Sequence, residues 1–448
     1  MRNDQIFKTA GWALALAFHA NAQTEFPASL SGHAVLPANT FIAAPKDAPA
    51  NLHTSGKFTT GKRVEKIGSV EGKSSDRPTG IGLPFKGQPI QGHSGIKRMA
   101  DGTFWILTDN GAGSKANSPD FMLYLNHYTV DFKSNQFKHL DTIFLHDPDK
   151  KVPFHIVNEA TQRRYLTGSD FDTESFQFAG GYVWIGDEFG PYLIKADLRG
   201  KVLNVFDTLV DGRVVRSPDN PAVITPNTPT DTVKFEVRRS KGFEGMAASK
   251  DGRVLYPLLE GPLWDEPSKA FEAIDGKQYL RILEFDVIAN QWTGRHWKYV
   301  LEANHHAIGD FNMIDDTTAL IIERDNGEGV SSHQCTEGKK PNCFHDLPKF
   351  KRVYKVEMTN ANVNGPVRKM AYVDLLNIAD PHKLARKPLD NGVFTFPFFT
   401  IENVDVLDDR HIVVGNDNNL PFSSSRDPNK ADDNELIILE VGNFLTAR

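Results

Sequence analysis

This chain has two cysteines in 448 residues, no excess of positive charge, and no apolar run beyond its first 22 residues that approaches the ~18 residues a membrane-crossing helix needs. Each shortage excludes something. The mature chain carries no predicted membrane span, and a net charge of −6 with scattered Arg-Arg and Lys-Lys doublets gives no field for holding nucleic acid. Several signatures are also absent: the Gly-x-Ser-x-Gly elbow, the phosphate-cradling Gly-x-x-x-x-Gly-Lys-Ser/Thr loop, His-Glu-x-x-His, and Gly-x-Gly-x-x-Gly after a strand. His93-Ser94 and His305-His306 carry no triad signature, and no long amphipathic helix pattern competes with the strand-like segments.

The ends and the cysteines agree on a compartment. Arg2 and Lys8 precede the apolar run "GWALALAF" (Gly11 to Phe18), and "ANA" (Ala20 to Ala22) supplies small residues for cleavage. This predicts a signal peptide over 1–22, a mature start at Gln23, and export to a periplasm or the extracellular space. Cys335 and Cys343, in "SSHQCTEGKKPNCFHD", then close a short disulfide loop. The weaker rival is a zinc site with His333 and His345, because cysteines eight apart lack the tight Cys-x-x-Cys spacing.

One pattern recurs five times: "SGIKRMADGTFWILTDNG" from Ser94, "ESFQFAGGYVWIGDEFG" from Glu174, "EGMAASKDGRVLYPLLEG" from Glu244, "GDFNMIDDTTALIIERDNG" from Gly309 and "ENVDVLDDRHIVVGNDNN" from Glu402. Each has a small or acidic opener, an apolar run, a two-residue turn, a second apolar run and an acid. The turns, Asp101-Gly102, Gly180-Gly181, Asp251-Gly252, Asp315-Asp316 and Asp408-Asp409, are residue types that tolerate the positive φ of tight hairpins. Opener and closing acid lie 14 to 16 residues apart throughout (Asp109, Glu188, Glu260, Glu323, Asp417), so each hairpin returns both to the same end.

Openers 65 to 93 residues apart leave room for a four-stranded sheet per repeat, the mark of a propeller with a central channel. The predicted fold is therefore an all-β β-propeller of six blades, with five or seven left open. Tyr192 to Phe206, Gln278 to Val287 and Arg352 to Met358 read as outer strands, and "RVEKIGSV" (Arg63 to Val70) with "ELIILEV" (Glu435 to Val441) is expected to close the ring. The division expected is an N-terminal arm over 23–55 and one propeller domain over 56–448. The polar stretches Ser217 to Asp231 and Pro421 to Glu435 read as long loops at a channel mouth.

Carboxylates gathered at one channel end repel unless protonated, paired or bridged by a cation, and in an exported protein the abundant hard cation is calcium. The candidate ligands are Asp109, Asp187, Glu188, Glu244, Glu260, Glu323, Glu402 and Asp417. Lys241, Arg324 and Arg426 stand beside these acids as candidate holders of a small anionic substrate. The alternative is structural: the acids cap turns or pair with cations, Arg324 with Glu323 or Asp325.

"GFEGMAAS", "WIGDEFGPYLIKAD", "LIIERDNGEG" and "IENVDVL" occur in order between Gly82 and Asn419, and "SGHAVLPANTF" precedes them. In these stretches the chain resembles the phytase-like family described by its esterase-like activity of phytase, similar to calcium-dependent propeller phytases. The resemblance implies a propeller and hydrolysis of phosphate esters. On that reading calcium held by Glu244, Glu402, Asp109 and Glu188 neutralises phosphate oxygens and lowers the pKa of a bound water, with Glu244, Glu188 and Glu402 as the catalytic set and Lys241 or Arg324 on the phosphate. Two alternatives stay open: a carboxylic ester or lactone hydrolase, and a non-catalytic propeller that binds a sugar, peptide or envelope partner.

Overall fold

Continuous apolar runs such as "FWIL" and "LII" cannot alternate inside and outside, so both faces of their strands must be buried. A computed structural model of the chain, which describes residues 23–336 and 342–448, shows how. The leader expected over 1–22 lies outside the described residues. Phe104 and Ile106 pack against Val413 and Leu436 on one side, while Trp105 and Leu107 pack against Phe176, Val183 and Ile185 on the other. Likewise Leu320 and Ile322 face Val404 and Ile412, whereas Ala319 and Ile321 face Ile308 and Leu280. Each sheet is thus clamped between two neighbours.

The five expected hairpins all form. Their first strands are His93–Arg98, Thr173–Ala179, Phe243–Ala248, Ala307–Met313 and Ile401–Val406. Each touches the next, and the fifth touches the first, so they close a ring around one axis. Each also begins a four-stranded antiparallel order. The third strands include Tyr192–Ala196, Lys277–Asp286 and Lys351–Glu357, where outer strands were expected. The turns differ in detail: Gly102, Gly180, Gly181 and Gly252 have positive φ, but neither aspartate pair does. Asp315 accepts from the amides of Thr317 and Thr318, and Asp408 from those of Arg410 and His411, so a side chain closes these turns instead.

Closure is also different from expectation. Asn434–Glu440 joins the fifth hairpin as foreseen, but its partner is Thr24–Leu36, not the stretch from Arg63. Thr24–Leu36 pairs antiparallel with Asn434–Glu440 and parallel with Arg368–Ala379, which locks the N-terminal segment between the fourth and fifth units. Val70–Ser74 makes a separate two-stranded ribbon with Arg77–Leu83. Both chain ends feed one unit, and the five first strands touch in a closed ring, within the range of five to seven left open around the best count of six. No α-helix occurs among the described residues, only three short 3-10 turns.

Candidate functional site: a buried ring of carboxylates

Every first strand carries the same irregularity. Register slips by one extra residue between His93 and Ile96, Thr173 and Ser175, Phe243 and Gly245, Ile308 and Phe311, and Ile401 and Asn403. A bulge of this kind re-aims a side chain. The residues at the slip are Ser94, Glu174, Glu244, Gly309 and Glu402, the openers of the sequence pattern. Each second strand ends in a matching set: Asp109, Glu188, Glu260 and Asp417 directly follow the last paired residues Thr108, Asp187, Leu259 and Asn416.

The three acidic openers converge as expected. One carboxylate oxygen each of Glu174, Glu244 and Glu402 lies within 4.8 Å of the others, and the same holds for Glu188, Glu244 and Glu260, and for Asp172, Glu174 and Glu188. These triplets share members, so six carboxylates from three units form one continuous group. Ser94 Oγ donates to Glu402 Oε2 at 2.8 Å, and Arg324 Nη2 lies 3.6 Å from Glu402 Oε1. Lys241 Nζ donates to Glu260 Oε2. Asp109 and Asp417 flank Glu402: Gln91 Nε2 and the Gly111 amide donate to Asp109 Oδ1, and the Asn419 amide to Asp417 Oδ1.

Crowding has an electrostatic consequence. Burial, then Asp172, Glu244 and Glu402, push the Glu174 carboxyl well above the ordinary range. Burial with Glu402, Glu260 and Glu188 does the same to Glu244, and burial with Glu260 and Asp172 to Glu188. Asp172 is pushed up to about 8 chiefly by burial, and Asp109 to about 6 by burial and Glu402 against the pull of the Gly111 amide. Burial pulls the Lys241 ammonium down, but Glu260 and Glu188 outweigh it and hold its pKa above the usual value. Three buried carboxylate oxygens, Asp172 Oδ1, Glu188 Oε1 and Glu244 Oε1, have no hydrogen-bond partner. Buried polar atoms are rarely left so.

Three residues expected at the site stand elsewhere. Glu323 pairs with Ile308, the position Asp187 takes opposite Thr173, and the residue beyond it, Arg324, comes to the level of the other closing residues. Glu323 is consumed by Tyr299 Oη at 2.7 Å, the Glu302 amide at 2.7 Å, His306 Nδ1 at 2.8 Å and Lys369 Nζ at 2.7 Å, and is no ligand of the ring. Asp187 braces the loop on either side of it, accepting from the amides of Asp172 (2.8 Å) and Gly190 (2.7 Å). Arg426 makes a two-pronged contact with Glu435 at 3.1 and 2.7 Å and stacks over Phe394 and Phe398, so it is not free for a substrate. Arg324 pairs with neither Glu323 nor Asp325; besides Glu402 it donates to Asn326 Oδ1 at 2.9 Å.

Other residues were not foreseen as site members. Asp172 precedes the Glu174 opener by two, and Ser94 acts as an orienting donor. Lys115 sits over the Phe189 ring and feels Asp187, Asp219, Asp170 and Asp172, although burial holds its pKa below the usual value. Nothing in the polar stretch around Lys115 marks it. Cys335 and Cys343 are bonded to each other, as expected, which removes both thiolates from any zinc site with His345. Among the described residues, no helix is long and apolar enough to cross a membrane.

The ring of β-sheets encloses a buried, under-satisfied acidic centre whose carboxylates could hold a metal ion. A family model described as phytase-like, esterase-like activity of phytase, matches residues 88–420, and the chain belongs to that family. It is also 32% identical over 117 residues to an uncharacterized secreted protein of Arthroderma benhamiae, an alignment that covers 24% of this chain and 22% of that one. Among solved structures it is similar to a hydrazine synthase of Kuenenia stuttgartiensis (12% identity, TM-score 0.31, 74% of this chain and 78% of that one). It is similar at the same distance to a luciferin-regenerating enzyme (9%, 0.30, 79% and 94%). Likeness at this level carries no argument about activity.

Proposed function

We propose that the protein is an exported, calcium-dependent phosphoesterase acting on a small phosphate ester, built as a single five-bladed propeller over 56–448 that the segment 23–55 completes. The observation that carries this reading is the set of unpartnered, buried oxygens on Asp172, Glu188 and Glu244 inside overlapping triplets of carboxylates that together draw on three units. Only hard oxygen donors converge there, which suits calcium and its loose geometry. Glu174, Glu188, Glu244, Glu260 and Glu402 would hold the ion, with Asp109 and Asp417 adding negative charge beside Glu402. Calcium supplies the positive charge that offsets the anionic oxygens of the ester.

The chain's own groups do the rest. Arg324 and Lys241, held at the edge of the ring by Glu402 and Glu260, orient the phosphate. Ser94 fixes the Glu402 carboxylate through its hydroxyl, and Glu188 and Glu244, with oxygens within 4.8 Å of each other, would hold or release a proton beside the ester. Family membership supports hydrolysis of an ester bond. Export is supported by the closed Cys335–Cys343 disulfide, by the leader-like sequence over 1–22 and by the secreted relative.

The test is hydrolysis of a phosphate-ester panel and a carboxylic-ester panel, each with chelator and with calcium restored, alongside metal analysis of the purified protein. Phosphate-ester turnover that disappears with chelator and returns with calcium is expected. Turnover that survives chelation would sink the metal, turnover confined to carboxylic esters or lactones would move the assignment to that class, and no turnover with retained ligand binding would make the protein a binding module.

A further inference from the structure

The excursion between the second and third units carries a second feature, separate from the carboxylate ring. A cavity of about 590 Å³ lies between the segments 232–238 and 264–271, within the size range of small-molecule sites. Its aromatic walls are Trp264, Phe235 and Phe271, with the Trp264 and Phe271 rings edge-to-face at 5.1 Å. Phe235, Val233 and Ile224 of the same excursion leave 38%, 38% and 86% of their surface exposed, an unusual gathering of apolar groups in solvent.

The charges around it do not balance. The acids are already occupied: Glu236 accepts from the Arg216 amide, Asp265 from the Ser268 amide, and Glu266 from Trp264 Nε1 and Lys269. The cations are less engaged, although Lys234, after Lys269 and Trp264, helps to hold the Glu266 carboxyl below its usual value. Among the described residues Arg213, Lys234 and Arg238 form no ion pair with any acid; Arg238 instead lies 4.1 Å over the Phe271 ring. An adjoining cavity of about 490 Å³ shares Lys234 and Glu236, and on its wall Arg216 Nε is buried without a partner. A cation held over an aromatic face keeps its charge available to an anion while the ring offers area to an apolar body.

We infer that this cavity binds a small organic anion with an aromatic body, its acid group on Arg238 and Lys234 and its ring against Trp264 and Phe235. The site does not depend on the hydrolase reading. It shares a segment with the ring, since Glu260 lies four residues before Trp264 and Val237 packs against Gly261.

The experiment is isothermal titration of the mature chain with 2-naphthalenesulfonate in the presence of chelator, so that the carboxylate ring is out of play and the outcome is independent of the metal. One-site binding is expected. The double variant Arg238→Ala/Lys234→Ala should weaken it about tenfold, and Trp264→Ala by a similar factor. Lys234 and Arg238 are exposed to solvent, so the thermal melt of their double variant should match the wild type. Neutral 2-naphthalenemethanol, which has the body without the charge, and inorganic phosphate, which has the charge without the body, should each bind at least tenfold more weakly. Absence of binding, equal affinity in the variants, or equal affinity for either control would overturn the proposal.

Discussion

The channel has two polar layers built from the same five strands, and they could hardly be treated more differently. At the upper layer, Glu174, Glu244 and Glu402 meet, and around them buried oxygens of Asp172, Glu188 and Glu244 are reached by no donor. One to three residues further along the same strands, ~3–10 Å on, a single carboxylate is fully served. Asp310 accepts from the amides of Phe311 (2.7 Å), Val404 (3.0 Å) and Ile96 (3.3 Å). Asn312 donates to Val404 O at 2.8 Å and accepts from Gln177 (2.9 Å) and Lys97 (3.0 Å), and Lys97 reaches Asp405 at 3.2 Å. Both layers hold buried carboxylates. The lower one is a structural pin that ties four units together, because its backbone donors came with the fold. The upper one lacks those backbone donors, and its carboxylates could hold a metal ion.

The largest effect that tests this contrast is on activity. Glu244→Gln keeps the shape and removes a charge from the upper layer, and phosphate-ester hydrolysis should fall roughly 1000-fold with calcium affinity falling in step; titration calorimetry and steady-state kinetics read both. An unchanged calcium affinity would erase the distinction between the layers.

Stability should respond in the opposite way. Asp310→Ala strands three backbone amides and part of Asn312, and should cost about 3 kcal/mol in urea unfolding, the same with chelator as with calcium. Glu244→Gln in the calcium-free protein should cost nothing or slightly stabilise, since it relieves a repulsion.

A smaller, sharper comparison sets Glu323 against Glu402. Glu323→Gln disturbs contacts to Tyr299, His306 and Lys369 and should destabilise by about 1–3 kcal/mol whether or not calcium is present. Glu402→Gln should matter chiefly when calcium is there. Melts of the two variants in calcium and in chelator make the test, and a calcium-dependent Glu323 variant would return that residue to the site.

The smallest effect is the slope of stability with pH. Folded-state values are raised, with Asp109 at about 6 and Asp172 at about 8, whereas an unfolded chain loses these protons near pH 4. Between about pH 4 and pH 8 the folded calcium-free protein therefore holds more protons than the unfolded one, and its melting temperature should fall as pH rises. Calcium should flatten the upper layer's share. The share from Asp310, raised to about 7 by burial against its amide donors, should persist in calcium and vanish in Asp310→Asn.

The local physics of the sequence determined the hairpins, the all-β class, the disulfide and the return of acid to acid at one end, because two-residue periodicity, turn residues and spacing act within some twenty residues. The choice between Glu323 and Arg324 was not among these. An interval of 14 to 16 residues admits both, and only the pairing of Glu323 with Ile308 sends Arg324 to the ring and Glu323 into the seam with the third unit. Gly309 shows why the fourth unit contributes no acidic opener: a Cβ there would sit 2.2 Å from the Ile401 carbonyl oxygen, a contact that exists only once the ring has closed. The number of units was likewise beyond the sequence, since it depended on Thr24–Leu36 pairing with strands more than 300 residues away. The spacing fixed which residues return to one end of their own hairpin; which carboxylates then find a donor depended on strands from other units, and that decided which of them are left for a cation.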